Sequence, residues 1–505
     1  MKQAALLVIV AVWALAVLPA GCHSPGAAHP EERREQGEAD ALPAGAPPAD
    51  VPVAKNPLAT APTQNDKPDL KEDEPSVRLG PSPPATKGKT ERIDLVAVLR
   101  LAGAESIDVK IYQQHLEAAR ADLATAGSKF LPDLNVGVVY RRHDGRIQET
   151  QGSILEASKS SLDSGPGLSL HVDPAEAYFA RLEALQVVDA VREGGRRTRA
   201  EVMLRSAFGY LDLLQAKALV EVATEARDHA RAQTELSRQM VDVQAELRVN
   251  LARAQAAQAR DEQRLLAAQN AVRSASVDLS VLLRLEPGTV LEPAEDRIAP
   301  VTLVSPEAEL SDLIENAVKS RPDLKELAAL SRAARERQSG VKFSPWVPDV
   351  DVFLGWSSFG GGRNDKFGNF GDRVDVGAGL VWTFEGFGFG EAARTRRARA
   401  AVRAARLQVE GKREEIVGEV IRTWETIGSL RASIDAAHSR VRASRETAEL
   451  VQARYESGDA IQLEILEAQR DDAESRAALV HAIIEYSKAQ NLLHYQVYGA
   501  TWEKG

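Results

Sequence analysis

The chain has 505 residues, 44% hydrophobic, 27% charged and 5% aromatic, with a formal charge of -10. That length predicts about three globular domains, and the mildly acidic balance argues against a nucleic-acid partner, which a basic face would mark. The single cysteine excludes an internal disulfide and a cysteine-based zinc site.

These averages conceal a non-uniform chain. Residues 1–21 hold Lys2, an apolar run from Ala4 to Val17, and then Leu18-Pro19-Ala20-Gly21. This is the pattern of a secretory signal, too short for an ordinary membrane span. Cys22 follows at once, and the segment resembles the lipobox of bacterial lipoproteins, with Pro19 where that box usually has Leu. The resemblance implies acylation of Cys22, palmitate included, as the mature N-terminus. His23 and Ser24 follow without the Asp that retains lipoproteins in the inner membrane, so it implies the outer membrane. The alternative is a plain signal peptide with an incidental cysteine. Residues 22–91 read as the anchor followed by a tether, because thirteen of the 24 prolines fall there among few large apolar residues. Such a segment cannot bury enough surface to offset ordering entropy.

The body repeats itself. Pro132-Asp133-Leu134 recurs as Pro348-Asp349-Val350, Gly167-Leu168 as Gly379-Leu380, Tyr210 as Trp424 and Leu251 as Leu466. Two tandem copies follow, 92–290 and 311–499, with a linker 291–310 and a tail 500–505. Each copy reads as a moderate helix, an alternating strand, a polar loop, a second alternating strand and two long helices. In copy one Leu134, Val136, Val138 and Tyr140 share a face, as do Leu168, Leu170 and Val172. In copy two the faces are Val350, Val352, Leu354 and Trp356, then Val374, Val376, Ala378, Leu380, Trp382 and Phe384. Segments of about ten residues with Tyr140, Trp356, Trp382 and Phe384 at their ends match membrane-barrel strands with an aromatic girdle, and their greasy faces carry no charge. Residues 143–163 and the stretch from Gly360-Gly361-Gly362 through Gly371 are expected to be loops; no Gly-Lys-Ser/Thr follows the glycines, so they are not a phosphate cradle.

From Asp173-Pro174 the chain runs without proline to Pro287. Even broken near 241–245, its first helix would be roughly 100 Å long, beyond any compact domain. Val420, Trp424, Ile427, Arg431, Ile434, His438 and Val441 alternate spacings of four and three, a heptad seam for helix packing. Within it Arg431 is expected as a snorkelling stem and His438 as a packed residue rather than a metal ligand, since none of the nine histidines has a ligand-spaced partner. Gly194-Gly195 interrupts the first long helix and suggests a bend. Four strands cannot close a barrel, and eight from two chains are nearly filled by side chains. Three chains give twelve strands with room for a wet channel, continued by a helical tube: a conduit.

Here the body, 92–499, resembles the TolC-type outer-membrane efflux protein family, in its lipoprotein branch. The residues that carry this are Arg321-Pro322-Asp323-Leu324, Leu131-Pro132-Asp133-Leu134, Val347-Pro348-Asp349-Val350, and Arg454-Tyr455-Glu456-Ser457-Gly458 followed by Leu463, Leu466, Ala468 and Gln469. The resemblance implies a mixed, mostly helical fold, with four transmembrane strands per chain in a twelve-stranded trimeric barrel and a long periplasmic α-helical coiled-coil barrel. It implies a homotrimer in outer-membrane lipid that docks through its hairpin tips onto a periplasmic adaptor and an inner-membrane pump. Tyr455 would help hold the tunnel closed, Gly458 would break the helix, and Glu464 and Glu467 would ring the constriction. Ala460 stands where some members place an arginine, and the first tip, Val241 to Glu246, lacks the family glycine. The i, i+3 spacing of Glu464 and Glu467 puts both on one helix face, so three chains would gather six carboxylates; a solvated acidic pair is the plainer reading. No cofactor, metal site or enzyme motif is evident. The rival reading is a lipid-anchored periplasmic coiled-coil protein without a pore, which leaves the strands unexplained.

Overall fold

Thr90–Ile93 (β1) pairs in parallel with Val290–Pro293 (β4), which ties the start of the first repeat to its end. The computed structural model describes residues 90–499 apart from 245, 296 and 364–367. The signal segment, Cys22, nearly all of the tether and the tail lie outside the described residues. No helix among the described residues is long and apolar enough to cross a membrane.

The two repeats are nearly superimposable in plan. Copy one runs α1 (Leu95–Glu105), α2 (Ile107–Ser128), β2 (Asp133–Gln148), β3 (Ile154–Val172), α3 (Pro174–Asp242) and α4 (Arg248–Leu282). Copy two runs α5 (Leu310–Ser320), α6 (Pro322–Phe343), β5 (Asp349–Arg363), β6 (Gly371–Val381), α7 (Phe389–Glu456) and α8 (Gln462–Tyr498). Corresponding helices measure 11 and 11, 22 and 22, 69 and 68, 35 and 37 residues. The expected single moderate helix is therefore two. Arg321 stands before Pro322, whose ring disfavours helical backbone in the preceding residue, and Arg321 accordingly takes ψ 121°. Ser106 makes the same break in copy one with ψ 136°.

The four long strands form one antiparallel sheet in the order β2-β3-β5-β6. Two expected loops are corrected. Residues 143–163 are mostly ladder: β2 and β3 stay paired from Asp133 and Ser169 out to Gln148 and Ile154, closing in a short turn with Gly152 at φ +89°. The alternation fades there because both faces beyond the apolar band are polar, but the backbone still bonds across. Gly360-Gly361-Gly362 also lies in the ladder, opposite Leu162, Ser161 and Ser160. A Cβ on Gly361 would sit 2.2 Å from the Ser160 carbonyl, so the glycine permits close strand approach. Trp382 and Phe384 fall just beyond β6, which ends at Val381 opposite Asp349. Pro348 precedes Asp349 and has no N–H to extend the ladder.

Below the sheet the helices keep its order, with α2 packed on α3, α3 on α6 and α6 on α7. Farther on, α3 with α4 and α7 with α8 make two long hairpins, joined through α3 and α8. Each repeat has its own core. Ile93, Val202, Tyr210, Leu213, Leu279 and Leu291 pack in the first, and Leu313, Ile416, Val420, Ile427, Ile484 and Leu493 are buried in the second. α3 runs unbroken through Gly194. A Cβ there would lie 3.1 Å from the Tyr112 ring and 3.2 Å from the Glu326 carboxylate, so the glycine lets α2 and α6 close onto α3. In the seam, Val420, Ile427 and Ile434 are buried, but Arg431 and His438 are exposed. A 3.6-residue helix drifts about 20° per heptad, which carries alternate seam positions off the contact.

Candidate functional site

The sheet separates two chemistries. In antiparallel pairing, opposed residues share a face, and Leu134, Leu168, Leu354 and Val376 lie in one row across all four strands. These four are exposed, as are Val136 at 76%, Val138, Val374 and Leu380, whereas toward the helix end Leu170, Val350 and Val352 are half-buried and Val172 is buried. Tyr140, Trp356, Trp382 and Phe384 are exposed too. Trp356 ends the apolar run of β5 rather than the strand itself, which continues through Ser358 and Gly360 to Arg363. The opposite face is mostly polar, Phe353 and Phe359 apart: Asn135 donates to Ser169 at 2.8 Å, His171 Nδ1 lies 2.6 Å from Asp351, and Arg373 pairs with Asp375 at 2.8 Å. Both outer strands, β2 and β6, pair on one side only.

At the far end of the molecule, the tips of the two hairpins meet. Tyr455 is 6% exposed, and its hydroxyl donates to Glu246 Oε1 at 3.1 Å and lies 3.7 Å from Met240 Sδ. Burial, reinforced by the Glu246 carboxylate, pushes the phenol above its ordinary pKa. Asn250 Nδ2 also donates to Glu246 Oε1 at 3.1 Å, while Oε2 is buried with no hydrogen-bond partner among the described residues. Beside it, Gln462 Nε2 donates to Ser237 Oγ at 2.6 Å, and Gln462 Oε1 and Gln233 Nε2 are buried without partners. Tyr455 thus bridges the two hairpins of one chain. Glu246, Gln462 and Ser237 were not singled out in the sequence, because contacts across more than 200 residues leave no local pattern.

The turn itself is built as its residues require. Gly458 takes φ +82°, Gly458 N donates to Tyr455 O at 3.0 Å, and Asp459 N donates to Arg454 O at 2.8 Å. In the first tip Gln244 occupies the equivalent place, 214 residues earlier, and adopts φ +57° without being glycine. The repeat spacing alone could have found it. Glu464 lies 3.5 Å from Arg454 Nη1 of the same chain, whose Nη2 also donates to the Asp459 carbonyl at 2.8 Å. Both members of this pair are well exposed, so solvent screens it. Glu467 is exposed and has no ion-pair partner among the described residues. Val243, Leu247, Ile461 and Leu463 stand exposed around the tips. No cluster of potential metal ligands occurs among the described residues.

The Arg321-Pro322-Asp323-Leu324 motif is architectural. Arg321, 4% exposed, donates to Asp323 at 3.1 and 2.6 Å and to Glu419 at 2.9 Å, with its guanidinium 5.4 Å from the Tyr495 ring centre. Burial pushes the Asp323 carboxyl up, but the paired Arg321 outweighs it and holds the group below its ordinary value.

A profile described as outer membrane efflux protein matches residues 98–283 and 313–495, one stretch in each repeat. Among solved structures, the outer-membrane channel OprN gives a TM-score of 0.69 at 18% identity, covering 86% of this chain and 99% of its own. The Campylobacter jejuni CmeC outer membrane channel gives 0.66 at 16% identity, covering 81% and 86%. The open-state Neisseria gonorrhoeae MtrE outer membrane channel gives 0.63 at 18%, covering 80% and 88%. At such identities the likeness establishes the fold. No curated protein sequence matches the chain.

Proposed function

Because the chain belongs to the outer membrane efflux protein family, we propose that three copies of it form the passive exit duct of a tripartite efflux or secretion system, anchored through acylated Cys22. The observation that carries this reading is the four-stranded sheet. It has a largely exposed apolar face, a mostly polar face and two open edges, and its strand order continues into the helix layer beneath. Open edges and a greasy face are costly in water and are satisfied when copies close a barrel in lipid. The exposed Val243, Leu247, Ile461 and Leu463 suit a periplasmic adaptor, which would couple the duct to an inner-membrane pump. Tyr455 and Gly458 shape the gate, and Glu464 and Glu467 line it, favouring cations.

The test is the mass of the detergent-solubilised protein together with conductance in planar bilayers. A trimer that conducts is expected; a monomer that never inserts would overturn the reading and restore the pore-free coiled-coil alternative. Replacing Glu464 and Glu467 with Ala should lower cation preference, and unchanged selectivity would make them an ordinary solvated pair.

A further inference from the structure

The connection from β6 to α7 exposes apolar surface that nothing else in the described chain covers. Phe387 is 99% exposed and Phe389 81%. Phe387 takes φ +56° between Gly386 at +54° and Gly388 at +91°, so the backbone holds the ring outward in a conformation that side chains disfavour. Trp382 and Phe384, also exposed, continue the apolar face of β6 into this turn. Immediately afterwards α7 presents Arg396, Arg397 and Arg399, all exposed and without carboxylate partners among the described residues. The nearby carboxylates are already engaged: Glu385 and Glu391 lie 3.1 and 3.2 Å from Arg394, and Glu391 also accepts from the Glu385 amide at 2.8 Å.

We propose that the Phe387 turn and Arg396, Arg397 and Arg399 form a binding site for anionic phospholipid on the helix-side rim of the barrel. This deepens the channel reading and rests on it. The three arginines lie seven to ten residues past Phe389, about 10–15 Å along the helix. The headgroup layer beyond the hydrocarbon is about 5–8 Å deep, and a long arginine side chain reaches back into it. Aromatic rings at the hydrocarbon edge followed by cations are the chemistry of that boundary. A second copy is a poorer occupant. The helix at the opposite free edge, α2, has Asp108 bound to Arg205 at 2.7 Å and Glu117 bound to Arg120 at 2.6 Å, which leaves Asp122 to meet three cations.

The experiment titrates the detergent-purified full-length protein with phosphatidylglycerol or phosphatidylethanolamine and counts bound lipid by native mass spectrometry. Phosphatidylglycerol should bind more tightly. R396Q/R397Q/R399Q should weaken it on the order of a hundredfold, roughly fivefold per arginine near an anionic surface, and leave phosphatidylethanolamine unchanged. R403Q/R406Q, deeper along α7, should change neither. F387G, which relieves the unfavourable backbone angle and so keeps the fold, should weaken both lipids. Equal lipid affinities, a triple variant that binds as wild type, or disulfide cross-linking of R397C to D122C of a second copy would each overturn the site. A protein that conducts yet does not discriminate lipids refutes this inference alone; one that does not conduct refutes the channel reading.

Discussion

Tyr455→Phe removes one oxygen from the junction of the two hairpins and keeps the packed ring. Glu246 Oε1 then retains only Asn250, while Oε2 already lacks a partner among the described residues. A hydrogen bond to a carboxylate contributes about 1.5–3 kcal/mol, so the joined tips should lose that much per chain. The population with separated tips would rise roughly 10- to 150-fold. Hydrogen exchange at amides 246–250 should accelerate by that factor, and resting conductance in planar bilayers should increase. Glu246→Gln keeps a neutral acceptor and should cost less. The double variant should cost less than the sum of the two, because both changes remove the same bond. If Tyr455→Phe exchanges and conducts as wild type, or if the two substitutions simply add, the junction does not hold the tip.

Gln244→Gly should raise stability by about 0.5–1 kcal/mol. It removes a left-handed penalty of about 1–2 kcal/mol against about 0.5–1 kcal/mol of added glycine entropy, and thermal unfolding monitored by circular dichroism would read the gain. Arg321→Ala should cost about 3–5 kcal/mol, because Asp323 and Glu419 would be left without their guanidinium, and denaturant unfolding checks it. The folded-state pKa of Asp323 is depressed, so its contribution is present above the ordinary value of 3.8 and is lost as pH falls from there through the folded value. Acid titration of wild type and Asp323→Asn should differ in that window and run parallel above it. Leu354→Arg, in the apolar row, should cost about 2–4 kcal/mol and block outer-membrane insertion, whereas Asn135→Arg on the polar face should insert, as protease protection in cells would show.

The duplicated plan was readable because repeats act through local pattern. Pro132-Asp133-Leu134 and Pro348-Asp349-Val350 both open strands, and Asp173-Pro174 caps a helix 69 residues long. Gly458 was readable as a turn residue because a left-handed backbone angle favours glycine, whereas Tyr455 was named only through the family resemblance. What stayed hidden was what those residues touch. Gly194 suggested a bend, and its neighbours make it a packing notch in an unbroken helix; Gly360-Gly361-Gly362 looked like a loop and lies in a ladder. Both have one cause: glycine reports that something approaches closely or that an angle is unusual, and only the neighbours say which.

Alternation, capping and heptad spacing are properties of one segment and its immediate chain neighbours, so composition and order were enough to specify strands with a greasy face and helices of unusual length. The row joining Leu134 to Val376, the Tyr455–Glu246 contact and the exposed Phe387 turn depend on which segments lie side by side. Register and packing between segments hundreds of residues apart are set by the free energy of the assembled whole, and no local pattern encodes them.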